Sequence, residues 1–113
     1  MLKPIPELIA EVRANIRVLS AAEAKIEIAA NNGVLIDVRE PDEVAAKPAP
    51  NSINMPRGVV EMKMSSNFAD SLKPVYIHCA SGARACLAAE QLERLGYANV
   101  SAIACAIDDI CSV

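Results

Sequence analysis

The sequence predicts an α/β protein with a mainly parallel sheet and helices on both faces. Three observations carry this. Short β-branched runs at 34–38, 75–78 and 100–103 alternate with helical patterns, an order that calls for crossover helices between parallel strands. Those runs are apolar at nearly every position, as in strands covered on both sides. Two of them end in polar chemistry, Ile36-Asp37-Val38-Arg39 and Ile77-His78-Cys79. In such folds the functional loops lie at the carboxyl ends of strands.

Each element follows in order. Ile5, Leu8, Ile9, Val12 and Ile16 fall on one helical face, and Pro4 and Pro6 suit the helix start. A short strand is predicted over 16–19. Ser20 and Glu23 form a capping box for a helix from about Ala21 to Ala30, and Asn31-Asn32-Gly33 supplies its left-handed stop. Glu40-Pro41-Asp42-Glu43 opens a short helical turn. Lys47–Ser52, with two prolines, is a loop in which Asn51 tolerates left-handed geometry. Ile53-Asn54-Met55 is a brief strand. Two weakly helical pieces are expected over Arg57–Met64 and Ser66–Leu72. After the 75–78 strand, Ala85, Ala88, Ala89, Leu92 and Leu95 share a helical face that Gly96 ends. A final helix is expected from Ala106 to Ile110.

The chain has 113 residues, one domain's worth (1–113), with residues 1–15 an extra N-terminal helix. Hydrophobic residues make up 53% and charged residues 22%, a globular composition. Eleven Lys and Arg against 14 Asp and Glu give a net charge of -3, which argues against nucleic acid as partner. No apolar run approaches the roughly 18–20 residues that cross a bilayer, so no membrane partner is expected. The first fifteen residues lack the pattern of a secretory signal, so the expected location is cytoplasmic. Cys79, Cys86, Cys105 and Cys111 are spaced by 7, 19 and 6 residues, and His78 is the single histidine. That spacing fits no paired zinc motif, so no metal is expected.

The informative segment is Cys79-Ala80-Ser81-Gly82-Ala83-Arg84, between a strand and a helix. Small residues with a glycine allow a tight turn whose amides point inward, an arrangement that attracts an anion. The following helix adds its dipole, and Arg84 a permanent charge. All three favour the thiolate of Cys79 over the thiol and make it a candidate nucleophile. The competing reading is a small buried hydrophobe.

Asp37–Glu43, Ile53–Gly58, Cys79–Arg84 and Leu95–Val100 resemble, in order and spacing, the successive signatures of single-domain rhodaneses, the thiosulfate sulfurtransferase-like family. The resemblance covers about residues 16–110. It implies a parallel sheet of about five strands and a persulfide on Cys79, cradled by the backbone amides of Ala80, Ser81, Gly82, Ala83 and Arg84. The implied reaction moves sulfane sulfur from thiosulfate or a similar donor (a persulfide) to cyanide, a thiol or a protein acceptor, with no cofactor. The alternative on the same fold is a catalytically weak sulfur carrier or interaction module. Related cysteine phosphatases carry five residues between Cys and Arg, and this loop carries four.

The chain departs from the family at three places. Lys47–Asn51 replaces a Gly-His-Ile-Pro-Gly-like run, Cys105-Ala106 a Gly-Gly, and Ala85-Cys86 a Ser-Ala pair. Asp37 and Arg39 are read as supporting residues, Asp37 bonding backbone beside the loop and Arg39 pairing with a carboxylate such as Glu43. His78 should point to the opposite face from Cys79, because strand neighbours alternate. Arg57 is read as solvated, Cys86 as packed in its helix, and Cys105 as lying near the pocket or in the core.

Overall fold

A computed structural model describes residues 1–111. Its elements are α1 (Ile5–Arg13), β1 (Arg17–Leu19), α2 (Ala21–Asn31), β2 (Val34–Asp37), α3 (Pro41–Ala46) and β3 (Ile53–Asn54). They continue with α4 (Val60–Asn67), β4 (Val75–His78), α5 (Ala83–Leu95), β5 (Val100–Ile103) and α6 (Ile107–Cys111). The five strands form one parallel sheet in the order β1-β5-β4-β2-β3. No described helix is long and apolar enough to cross a membrane.

Strand alternation divides the core in two. Val75, Ile77 and Cys79 face a cluster that includes Val12 of α1, Val60 and Met64 of α4, and Ala85, Ala88, Ala89 and Leu92 of α5. Tyr76 faces the other cluster, with Leu19, Ala21, Ala24, Ile103 and Ile110, covered by α2 and α6. Helices thus cover both faces, as the strand pattern requires.

The local signals explain the helix ends. Ser20 Oγ accepts from the Glu23 amide at 3.1 Å, and Glu23 Oε1 in turn accepts from the Ser20 amide at 2.9 Å. Asn32 makes the left-handed stop, with φ of 58°. Gly33 serves a different need, since a Cβ there would lie 2.6 Å from the Tyr76 ring. Asn51 is left-handed as expected, with φ of 65°.

One expectation needs correction, and one face is only partly covered. On α1, Val12 is buried and Ile9 half-buried, while Ile5 is 65% and Leu8 37% exposed. Nothing in a helical period says how much of an apolar face finds a partner. The two pieces expected over 57–72 are one helix, α4, and Ser66–Leu72 does not form a second. Its amide at Phe68 closes α4 on the Met64 carbonyl, after which Asp70 and Pro74 favour a turn.

β2 and β4 are neighbours in register, with Asp37 opposite His78. Past the strand ends the Val38 amide still donates to the His78 carbonyl at 2.9 Å. The two polar strand ends predicted from sequence therefore lie side by side.

Candidate active site

Cys79 follows directly on β4, and its side chain turns to the α5 face. The residue is only 1% exposed. Its Sγ accepts from the Gly82 amide at 3.0 Å and the Ala85 amide at 3.4 Å. Gly82 is the residue that caps α5 and has no side chain to satisfy the first-turn amides. The thiol sulfur takes that place for Ala85, whose N–H has no partner inside the helix.

Gly82 has φ of 109°, which L side chains rarely adopt. A Cβ there would also lie 3.0 Å from the Ala104 Cα. The loop is held from β5 and α6 as well, since the Ile107 amide donates to the Ala80 carbonyl at 2.9 Å. Of the run Ala80–Arg84, only Gly82 donates to sulfur by these bonds; the second donor, Ala85, lies one residue beyond. The signal for it was the first helical turn, whose orphan amides extend three residues past the cap.

Arg84 pairs with Glu43 of α3. Its two terminal nitrogens donate to both carboxylate oxygens of Glu43, at 2.7 and 2.9 Å. This pair holds the Glu43 carboxyl down at about 2 and raises the guanidinium further. The expected pairing of Arg39 with the Glu43 carboxylate is therefore corrected. Arg39 reaches only the Glu43 carbonyl at 3.3 Å and the Lys47 carbonyl at 2.8 Å. Its carboxylate partner is Asp37, through Nε and Nη2 at 2.8–3.1 Å. Asp37 also accepts from the Arg39 amide at 3.1 Å, so its carboxylate supports the β2 loop and not the Cys79 loop.

His78 is fully buried, and its Nε2 lies 2.7 Å from Ser52 Oγ. Burial pushes its pKa down, against the opposing pull of Asp37. Among the described residues its ring Nδ1 has no hydrogen-bond partner, and it lies 3.9 Å from Asp37 Oδ1. His78 thus braces the 47–52 loop and does not meet the thiol. Ser52 was not singled out from sequence, because a serine in a proline-rich loop carries no local mark.

The remaining candidates separate cleanly. Cys86 is packed in α5, 1% exposed, with its thiol pKa raised by burial. Cys105 lies against the α2 cluster and accepts from the Ala21 amide at 3.3 Å, on the far side of the sheet from Cys79. Arg57 is half-buried and paired with Glu61 at 3.0 Å instead of free in solvent.

The sequence model of the rhodanese-like domain family matches residues 20–112, and the chain belongs to that family. A mitochondrial protein of Schizosaccharomyces pombe, provisionally named a thiosulfate sulfurtransferase, is 41% identical over 78 residues, covering 59% of this chain and 55% of that protein. The chain therefore spans about half the length of that curated relative. The polysulfide-sulfur transferase of Wolinella succinogenes, solved as a homodimer, is 31% identical with a TM-score of 0.77, covering 91% of this chain and 78% of that one. A Rhodopseudomonas palustris protein described as a possible tyrosine phosphatase is 25% identical with a TM-score of 0.79, covering 94% and 87%.

Proposed function

We propose that this protein transfers sulfane sulfur through a persulfide on Cys79. The carrying observation is the thiol at the focus of two inward amides, at the carboxyl end of β4 and the start of α5. The Cys79 thiolate attacks the outer sulfur of thiosulfate or a similar donor. The donor S–S bond breaks, and sulfite leaves with the electron pair. The amides are already aimed at Cys79 Sγ, so with the helix dipole they stabilise negative charge on sulfur there without reorganisation. A thiol, cyanide or protein acceptor then takes the outer sulfur and frees the thiolate. One covalent intermediate shared by two half-reactions gives ping-pong kinetics. No step calls on a cofactor.

A phosphatase reading fares worse. A phosphate dianion needs a free guanidinium, and Arg84 is committed to Glu43. The carrier reading has one observation in its favour, the 1% exposure of Cys79. Thiosulfate:cyanide assays on the wild type and Cys79→Ser, with mass analysis after thiosulfate, test both. Turnover that vanishes in Cys79→Ser, with one extra sulfur on the Cys79 peptide, supports transfer. The extra sulfur without turnover supports the carrier. Turnover surviving in Cys79→Ser removes the nucleophile.

A further inference from the structure

On the side of the Cys79 loop that faces β2, α3 and α6, the charges are matched pair by pair. Arg84, which ends the loop, is held by both oxygens of Glu43 at 2.7 and 2.9 Å. Arg39 is held by Asp37, and Lys47 is paired with Asp108 of α6. Glu40 adds a further negative charge that acts on Arg84. A donor approaching the loop thus meets a guanidinium already neutralised, next to a sulfur that is itself anionic when reactive. Two amides suffice to hold one negative sulfur. They do little for the second charge of a dianion such as thiosulfate, whose repulsion from the attacking thiolate is doubled relative to a monoanion.

Resting on the sulfur-transfer reading above, we propose that Glu43, acting through Arg84, selects donors by charge, favouring singly charged thiosulfonates and alkyl persulfides over dianionic thiosulfate. Glu43 is then a positioning residue: it holds the side-chain cation that ends the loop. Methanethiosulfonate isolates the effect. The Cys79 thiolate attacks its outer sulfur, the S–S bond breaks, and methanesulfinate leaves with the electron pair. The product is the same Cys79 persulfide, so the second half-reaction is unchanged.

The experiment compares kcat/KM for methanethiosulfonate and thiosulfate, with cyanide as acceptor, in the wild type, Glu43→Gln and Glu43→Asp. Glutamine keeps an acceptor for the Glu40 amide, which Glu43 Oε2 now takes at 2.8 Å. The wild type is expected to prefer the monoanion. Glu43→Gln is expected to improve thiosulfate relative to methanethiosulfonate by about fivefold, from one uncompensated charge at partial screening. That gain shrinks as salt is added, and Glu43→Asp restores the wild-type ratio. Arg13, an exposed cation lining the groove outside Ser81–Ala83, is the control. Arg13→Gln leaves the ratio unchanged if Glu43 governs it.

A wild type that prefers thiosulfate overturns the proposal, as does an unchanged ratio in Glu43→Gln. An equal loss for both donors assigns Glu43 a structural role alone and overturns it too. A fall in the thiosulfate ratio in Arg13→Gln moves the charge control to Arg13. Absence of a Cys79 persulfide from either donor in the wild type instead removes the transfer reading, and the proposal with it.

Discussion

Arg39 Nη2 lies 2.8 Å from Asp37 Oδ2, and both side chains are at most 3% exposed. Two residues apart on the chain, they close a short loop at the end of β2 by an ion pair taken out of water. Such a pair is costly to break from one side, because the partner left behind is a buried charge without a counter-ion. Asp37→Asn is expected to lose about 3–5 kcal/mol of stability in urea denaturation. Adding Arg39→Met should cost less than the sum of the single losses, since it removes the stranded charge. Strict additivity would show that the two side chains are not coupled.

Gly82 makes a second prediction. An alanine there is strained at φ of 109° and presses its Cβ to 3.0 Å from the Ala104 Cα. Gly82→Ala is expected to cost more than about 1 kcal/mol, the usual penalty where φ is positive. It should also reduce persulfide formation by moving an amide donor off the sulfur, measured by mass after thiosulfate. A variant with wild-type melting and full persulfide yield would contradict this.

His78 makes stability depend on pH. Burial lowers its pKa below the ordinary 6.5, so the unfolded chain binds a proton that the folded one resists. Stability is then full above about pH 6.5 and falls as pH drops below it. Urea midpoints between pH 8 and pH 5 should show this slope, weakened in His78→Gln. An identical slope in the variant would assign it to other groups.

Ser20→Ala should cost about 1 kcal/mol through loss of the α2 cap. The Ser20 Oγ bond to the Glu23 amide, at 3.1 Å, is what it removes. Thermal denaturation of the variant checks it, and an unchanged midpoint would mean the cap adds nothing here.

Much of the fold was legible in the residues. The α2 box needed only Ser20 and Glu23, three positions apart, because a capping bond closes within one turn. The strands at 34–37, 75–78 and 100–103 were legible because a buried strand is apolar along its length. The facing of His78 away from Cys79 followed from strand alternation alone. The division of α4 from the turn after it was not legible, since Arg57–Leu72 carries no strong period.

What the sequence determined by itself about this protein was the alternation of elements and the small-residue loop from Cys79 to Arg84 at a strand end. Both are local: they rest on periods of two and 3.6 residues and on bonds within one turn. Which carboxylate meets which guanidinium was decided only by the tertiary structure. Glu43 and Arg84 are 41 residues apart, and Arg39 sits closer to Glu43 on the chain than Arg84 does. The sheet order sets β2 beside β4 and so brings α3 against the Cys79 loop. Asp37 holds the Arg39 guanidinium, and Glu43 pairs with Arg84. The same packing sent Cys105 to the other face. Partner choice depends on how distant segments approach, and no local pattern of residues encodes that distance.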